Sequence, residues 1–228
     1  MKMKFGAIVT DGRGKIGGHV ASKNRQGAYL RTKVTPSNGQ TSFQQGVRNL
    51  FTQLSQAWRS LTQNQRDSWN GAVASFSKTD IFGDLRNPSG ANLFQKLNNN
   101  LQSIGEAILN EAPLPVEVPN TSIIDITETA VTGEMNLVLS AAVAPDSALK
   151  VFATAPMSPG KNFVKSEFRA IAVLDAEEST PYSVDGDYVA KFGSVPSVGQ
   201  KVFFKVLPIS TVSGQAGSAS SASLIKTI

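Results

Sequence analysis

The sequence contains no cysteine and only one histidine, His19, in 228 residues. The first absence excludes disulfide staples and thiolate metal ligands and leaves the redox compartment open. The second removes His-dependent catalytic triads except through His19, and any zinc site built on several imidazoles. Long hydrophobic runs are missing as well: nothing approaches the roughly 18 apolar residues that span a bilayer. Glycine and aspartate interrupt the basic start MKMKFGAIVTDGRGK before a signal-peptide core can form, so the expectation is a soluble protein made and assembled without export. Carboxylates at metal or glycosidase spacing are lacking too, and the acidic stretch Asp175, Glu177 and Glu178 reads as a solvated turn.

What charge there is lies unevenly. Residues 1–33 hold eight basic side chains, Lys2, Lys4, Arg13, Lys15, Lys23, Arg25, Arg31 and Lys33, against Asp11 alone, whereas the whole chain is only +5. A basic end on a mildly acidic body points to a negative partner, either nucleic acid or an acidic protein face. The candidate contact residues are Arg13, Lys15, Lys23, Arg25, Arg31 and Lys33. Tyr29 is the one aromatic among them for base stacking.

Residues 1–40 read as a basic, glycine-rich arm, consistent with short strands or with an extended segment. The string Gly12-Arg13-Gly14-Lys15-Ile16-Gly17 matches the dinucleotide GxGxxG pattern but lacks its context. Gly18, Val20 and Ser22 make no helical pattern, and no acidic residue follows before Asp67. Nor is it a P-loop, because Ile16 stands where Ser or Thr would hold magnesium. No cofactor is expected.

Helical signals begin after the turn TPSNGQ at 35–40. Thr41 or Ser42 caps a helix, with Gln44 or Gln45 completing a capping box, and Phe43, Val47, Leu50, Phe51, Leu54, Trp58 and Leu61 fall on one stripe that should be buried. Thr62 with Gln65 repeats the box and opens a second helix carrying Trp69, Val73 and Phe76. The short connection predicts two helices packed as neighbours, with both tryptophans as core anchors. Residues 79–87 read as a loop. Ser89 caps a third helix with Leu93, Leu97, Leu101, Ile104 and Ile108 on its apolar face. Gln95, Asn98, Asn99, Asn100 and Gln102 form a polar face read as solvated or partner-contacting.

The helical domain is therefore placed at 41–110, followed by a stiff linker at 111–120, EAPLPVEVPN, with three prolines. Beyond it the pattern turns to alternation. Seven candidate strands, 123–127, 135–143, 149–155, 168–174, 182–192, 201–207 and 223–228, have the size of an immunoglobulin-type sandwich at 121–228. Asp185-Gly186-Asp187 lacks the remaining calcium-loop positions and reads as a hairpin or bulge. The expected fold is thus α+β in two domains: a basic arm with short strands plus three helices, then a seven-stranded antiparallel β-sandwich.

Two resemblances follow from these residues. The end of the chain, KVFFKVLPISTVSGQAGSASSASLIKTI, resembles the last two strands of a fibronectin type III or related immunoglobulin-like domain. Arg31, Pro36 to Asn38, Thr41, Gln44 or Gln45, Arg48, Trp58 to Thr62, Gln65 to Arg66 and Trp69 resemble a group of tailed-phage virion proteins, including those of crAss-like phages of Bacteroidota. Gly39 departs from that pattern, which has Pro there. The likeness spans roughly residues 5–105 and implies a structural, non-enzymatic protein with no catalytic residues. It would dock on capsid, portal or tail partners in the virion and pass through the host cytoplasm during assembly. Self-association stays open, and no membrane or small-molecule partner is expected. A nucleic-acid-binding protein packaged with the genome is the alternative. An enzyme ranks third, since neither a nucleophile with its base nor paired carboxylates can be nominated.

Overall fold

The computed structural model describes every residue except 177, 179 and 228 and shows a mixed α+β protein with several antiparallel sheets. Glu177 of the acidic stretch and the final residue of the last expected strand lie outside the described residues.

The first 32 residues fold. Strands β1 (Lys2–Met3), β2 (Gly14–Ile16), β3 (His19–Asn24) and β4 (Gly27–Thr32) form one antiparallel sheet in the order β1-β4-β3-β2. Gly17, at φ 55°, lets the chain reverse tightly between the paired residues Ile16 and His19, a conformation that costs other residues strain. Of this sheet's apolar side chains only Ala21 is buried, so ladder hydrogen bonds and docking contacts must hold it in place. Of the two readings of the arm, short strands hold at 2–3, 14–16, 19–24 and 27–32, while residues 4–13 and 33–40 carry no regular secondary structure.

Thr41 caps helix α1 (Ser42–Ser60), its hydroxyl accepting the Gln44 backbone N–H. Thr62 and Gln65 form the full reciprocal capping box of helix α2 (Gln63–Ala72). A 3₁₀ turn at Val73–Phe76 then leads into a two-stranded hairpin, β5 (Lys78–Thr79) and β6 (Leu85–Arg86), where a loop was expected. Ser89 caps helix α3 (Gly90–Gln102). The short α1–α2 connection does not make those helices each other's main partner. Both pack instead on α3, through a core of Leu54, Leu61, Trp69, Phe76, Leu93, Phe94 and Leu97. Phe94 lies at the centre, 5.4 Å from the Trp58 ring and 5.3 Å from that of Trp69.

Two features of α3 differ from the expectation. It stops at Gln102, and Gly105, at φ 89°, turns the chain so that Ile108 and Leu109 fold back onto the helical core. Its polar face is also not uniformly solvated. Asn98 is fully buried, donating to the carbonyls of Phe94 and Leu109 and accepting from the Leu109 N–H at 2.7 Å. This amide satisfies backbone groups that the returning chain would otherwise leave dry. Asn98→Leu should lower stability by about 1–3 kcal/mol, measured by urea unfolding; a loss well below this range would mean that Leu109 finds other partners.

Residues 111–120 have no regular secondary structure, and the segment is hydrogen-bonded at its start and at its middle. The carbonyl of Asn110 accepts from the Trp69 indole, Ala112 donates to Ser68 Oγ, and Val116 donates to Gln215 Oε1. Beyond it, β7 (Ile123–Glu128), β8 (Met135–Leu139) and β11 (Tyr182–Ser183) form a three-stranded sheet in the order β11-β8-β7. Strands β9 (Ser147–Ala153), β10 (Arg169–Leu174), β12 (Lys201–Ser210) and β13 (Ser220–Ile225) form a four-stranded sheet in the order β10-β9-β12-β13. Alternate residues of both sheets, among them Met135, Leu137, Leu149, Val151, Val202, Phe204 and Val206, share one core.

The expected strand at 182–192 is a correction. Only Tyr182–Ser183 pairs, and Asp185–Phe192 is helix α4, so Asp185-Gly186-Asp187 is a helix start rather than a hairpin or bulge. Both aspartates sit in the first turn, where the helix dipole favours negative charge, and Gly193 at φ 87° ends the helix. Val184 and Tyr188, four apart, turn inward, and the Tyr188 hydroxyl donates to the Thr154 carbonyl.

Candidate functional site

The six arm cations do not converge on one patch, because side chains alternate across a sheet. Lys15 and Arg31 both lie opposite Val20 on β3, and so share a face with it. Tyr29, opposite both Lys2 and Ser22, continues that face. Lys23 belongs to the other face with Ala21 and Leu30, and there Asp11 draws in Lys23 at 4.0 Å and Arg13 at 3.4 Å. Arg25 lies in the β3–β4 turn, and Lys33 follows β4. His19 is exposed opposite Thr32. The GxGxxG string runs along β2 into the turn to β3, so no helix N-terminus opens at its third glycine.

Ion pairs fasten this sheet to the β5–β6 hairpin. Lys2 lies 3.5 Å and Arg86 3.2 Å from Asp80, while Lys4 at 2.9 Å and Arg86 at 3.2 Å meet Asp84. Burial by itself raises the Asp80 pKa, but hydrogen bonds from the Phe82 N–H, the Arg86 guanidinium and the Asp84 N–H, together with the charge of Lys2, outweigh it and hold the carboxyl at about 2. A carboxyl depressed in the folded state stabilises fully above its ordinary value of 3.8 and loses that contribution as pH falls through about 2. Protection factors of residues 78–86, exchange rates corrected for the intrinsic pH dependence of amide exchange, should therefore fall across that acid window. Asp80→Asn should remove that fall; an unchanged acid transition in that variant would refute the assignment.

A second cationic surface escaped the sequence reading. On β12, Lys201, Phe203 and Lys205 alternate with the buried Val202, Phe204 and Val206, and so face outward. Phe152 on β9 lies directly opposite Lys205. The Lys205 ammonium stands 4.4 Å from the Phe152 ring and 4.8 Å from that of Phe168, and Lys201 stands 4.8 Å from Phe203. A groove of about 810 Å³ separates this face from the start of α1 and is lined also by Phe43, Arg169 and Lys191. Burial pushes the Lys150 ammonium pKa down there. The signal was the period of two in KVFFKV, which sets lysine and phenylalanine on one side.

The third surface corrects the expectation of a fully buried α1 stripe. Leu54 and Leu61 are buried, but Phe43, Val47 and Phe51 remain 68%, 54% and 58% exposed. Val47 and Phe51 border a groove whose α3 wall consists of Asn92, Gln95, Lys96 and Asn99, which are too polar to close over them.

Acid–base chemistry has little to work with here. The Tyr182 hydroxyl donates to Asp187 at 2.6 Å, but burial and then that carboxylate push the phenol pKa up, which keeps it a neutral donor. Among the described residues no group of three or more His, Asp or Glu side chains is placed to hold a metal ion, and no helix is long and apolar enough to cross a membrane.

The fold and its surfaces define a mixed α+β protein with two cationic sheet faces and an uncovered helix stripe. Compared with protein-family models, curated proteins and solved structures, the chain has no significant match in any of the three.

Proposed function

We propose that this chain is a non-enzymatic structural component of a tailed-phage virion. It docks through its N-terminal sheet and helices onto a capsid, portal or tail partner, and it projects the C-terminal β domain as an accessory module. The observation that carries the reading is the apolar stripe of Phe43, Val47 and Phe51 on a helix whose N-terminus is capped by Thr41. Such a stripe exposed to water is the usual mark of a surface that a partner covers. The resemblance of residues 5–105 to virion proteins supplies the kind of partner.

The β domain is proposed to be an immunoglobulin-like or fibronectin type III-like sandwich. Its first, second and fifth strands form one sheet and its third, fourth, sixth and seventh the other. Shared cores and this division of strands belong to that architecture. The second reading, a nucleic-acid-binding protein packaged with the genome, draws on the face bearing Lys15, Arg31 and Tyr29.

Quantitative mass spectrometry of gradient-purified particles, before and after nuclease and a high-salt wash, tests both. Retention at fixed stoichiometry is expected for a docked component, with a folded Val47→Asp/Phe51→Asp variant failing to incorporate. Absence from washed particles would overturn the structural reading, and nuclease-dependent loss would favour the second.

A further inference from the structure

The cavity where β1, the β5–β6 hairpin and α3 meet encloses about 340 Å³ and is lined by Lys2, Lys78, Asp80, Arg86 and Lys96 over an apolar floor that includes Phe76 and Leu93. Four cations thus face one carboxylate. That carboxylate is already engaged by Lys2 and Arg86, and Arg86 also shares Asp84 with Lys4. Lys78 and Lys96 make no ion pair with a carboxylate among the described residues.

Both lysines are solvent-exposed and line the mouth of the cavity. Partial burial lowers the Lys96 ammonium pKa, and the positive charge of Lys78 lowers it further. Two ammonium groups lining one cavity beside the apolar side chains of Phe76 and Leu93 repel each other. Nothing in the helical core requires the pairing, since Lys78 stands on the short strand β5 and Lys96 on the exposed side of α3.

We propose that this cavity binds a phosphate-type oxyanion between the ammonium groups of Lys78 and Lys96, with Lys2 and Arg86 completing its cationic wall. An oxyanion placed there converts the repulsion into charge-assisted hydrogen bonds. Phosphate suits the site better than a single carboxylate, because it brings more negative charge and more acceptor oxygens to a wall with several donors. The phosphate can be free or part of a nucleic-acid backbone. Lys2 stands both on the wall and on the sheet face that carries Tyr29, which joins the cavity to the Lys15 and Arg31 surface. Bound anion would also tie the N-terminal sheet to the helices, since Lys2 and Lys96 come from opposite sides of that junction.

The test uses the full chain in phosphate-free buffer, with thermal unfolding and calorimetric titration of inorganic phosphate, acetate and a short single-stranded DNA at low salt. The probes are repeated on Lys96→Met and Lys78→Met, which keep aliphatic bulk and remove charge. Without added anion, Lys96→Met should unfold at or above the wild-type temperature, because a repulsion has been removed. Phosphate should raise the wild-type unfolding temperature, and each variant should bind it at least about tenfold more weakly. A Lys15→Met/Arg31→Met double variant identifies the source: DNA affinity falling while phosphate affinity holds assigns the site to a nucleic-acid backbone, and DNA no tighter than phosphate assigns it to the free ion. Phosphate binding undiminished in Lys96→Met, acetate binding as tightly as phosphate, or no phosphate or DNA binding by wild type would each overturn the proposal.

Discussion

Replacing Trp69 by alanine should cost about 3–5 kcal/mol and unfold the helical half of the protein first. The indole is fully buried, stands edge-on to Phe94 at 5.3 Å, and donates its N–H to the Asn110 carbonyl. Truncation would therefore leave a large cavity between α2 and α3 and a partly buried carbonyl without its donor. Trp58 remains as a reporter 5.4 Å from the same Phe94 ring. Its fluorescence should shift to the red at a lower urea concentration in the variant. A loss below about 1 kcal/mol would mean that the helices are held mainly by other contacts, since exposed substitutions typically fall under that size.

Gly214→Ala should be comparably damaging for a different reason. The turn at 211–214 abuts α3, where Asn100 donates to the Gly214 carbonyl at 2.8 Å. A Cβ on Gly214 would lie 2.3 Å from the Leu97 carbonyl oxygen and 2.9 Å from its carbon, both rigid helix backbone, and Gly214 also sits at φ 69°. Left-handed strain of about 1–2 kcal/mol adds to an overpacking cost of about 1–3 kcal/mol. Gly193→Ala makes the control, because Gly193 has φ 87° and open space around its hypothetical Cβ, so only the conformational cost applies. Thermal unfolding should rank Gly214→Ala clearly below Gly193→Ala, with faster hydrogen exchange in α3. Equal losses would show that the contact with α3 yields easily.

Much of the local structure was legible because it is governed by local chemistry. The hydroxyl caps at Thr41, Thr62 and Ser89 start helices where short polar side chains can reach orphan N–H groups. The inward alternation of Val202, Phe204 and Val206 announces its strand. What was illegible depends on partners distant in sequence. At 182–192, Val184 and Tyr188 fit a helical step of four, while Tyr182 and Val184 fit alternation, and packing against the core decided between the periods. Asn98 looks like surface until the chain returning at Leu109 is placed over it. The stripe of α1 shows what the helix could bury but not that the facing side of α3 is too polar to cover its first turns. For the candidate sites, sequence proximity gathered the arm cations and strand alternation then divided them. The lysines of the cavity beside α3, Lys78 and Lys96, come from two elements that no local pattern connects.

The segment at 111–120 has a mechanical consequence. It is anchored to Trp69 and Ser68 at its start and to Gln215 through Val116 at its middle, so the β domain is hitched to the helices rather than swinging from them. A pull on that domain would load the Val116–Gln215 bond and the Asn100–Gly214 bond before the proline-rich strap itself could straighten. The slack is held in reserve behind two hydrogen bonds: once they part, the strap can pay out and the outer domain can travel while the Trp69 anchor still grips. The arrangement works as a breakaway stop in series with a short leash.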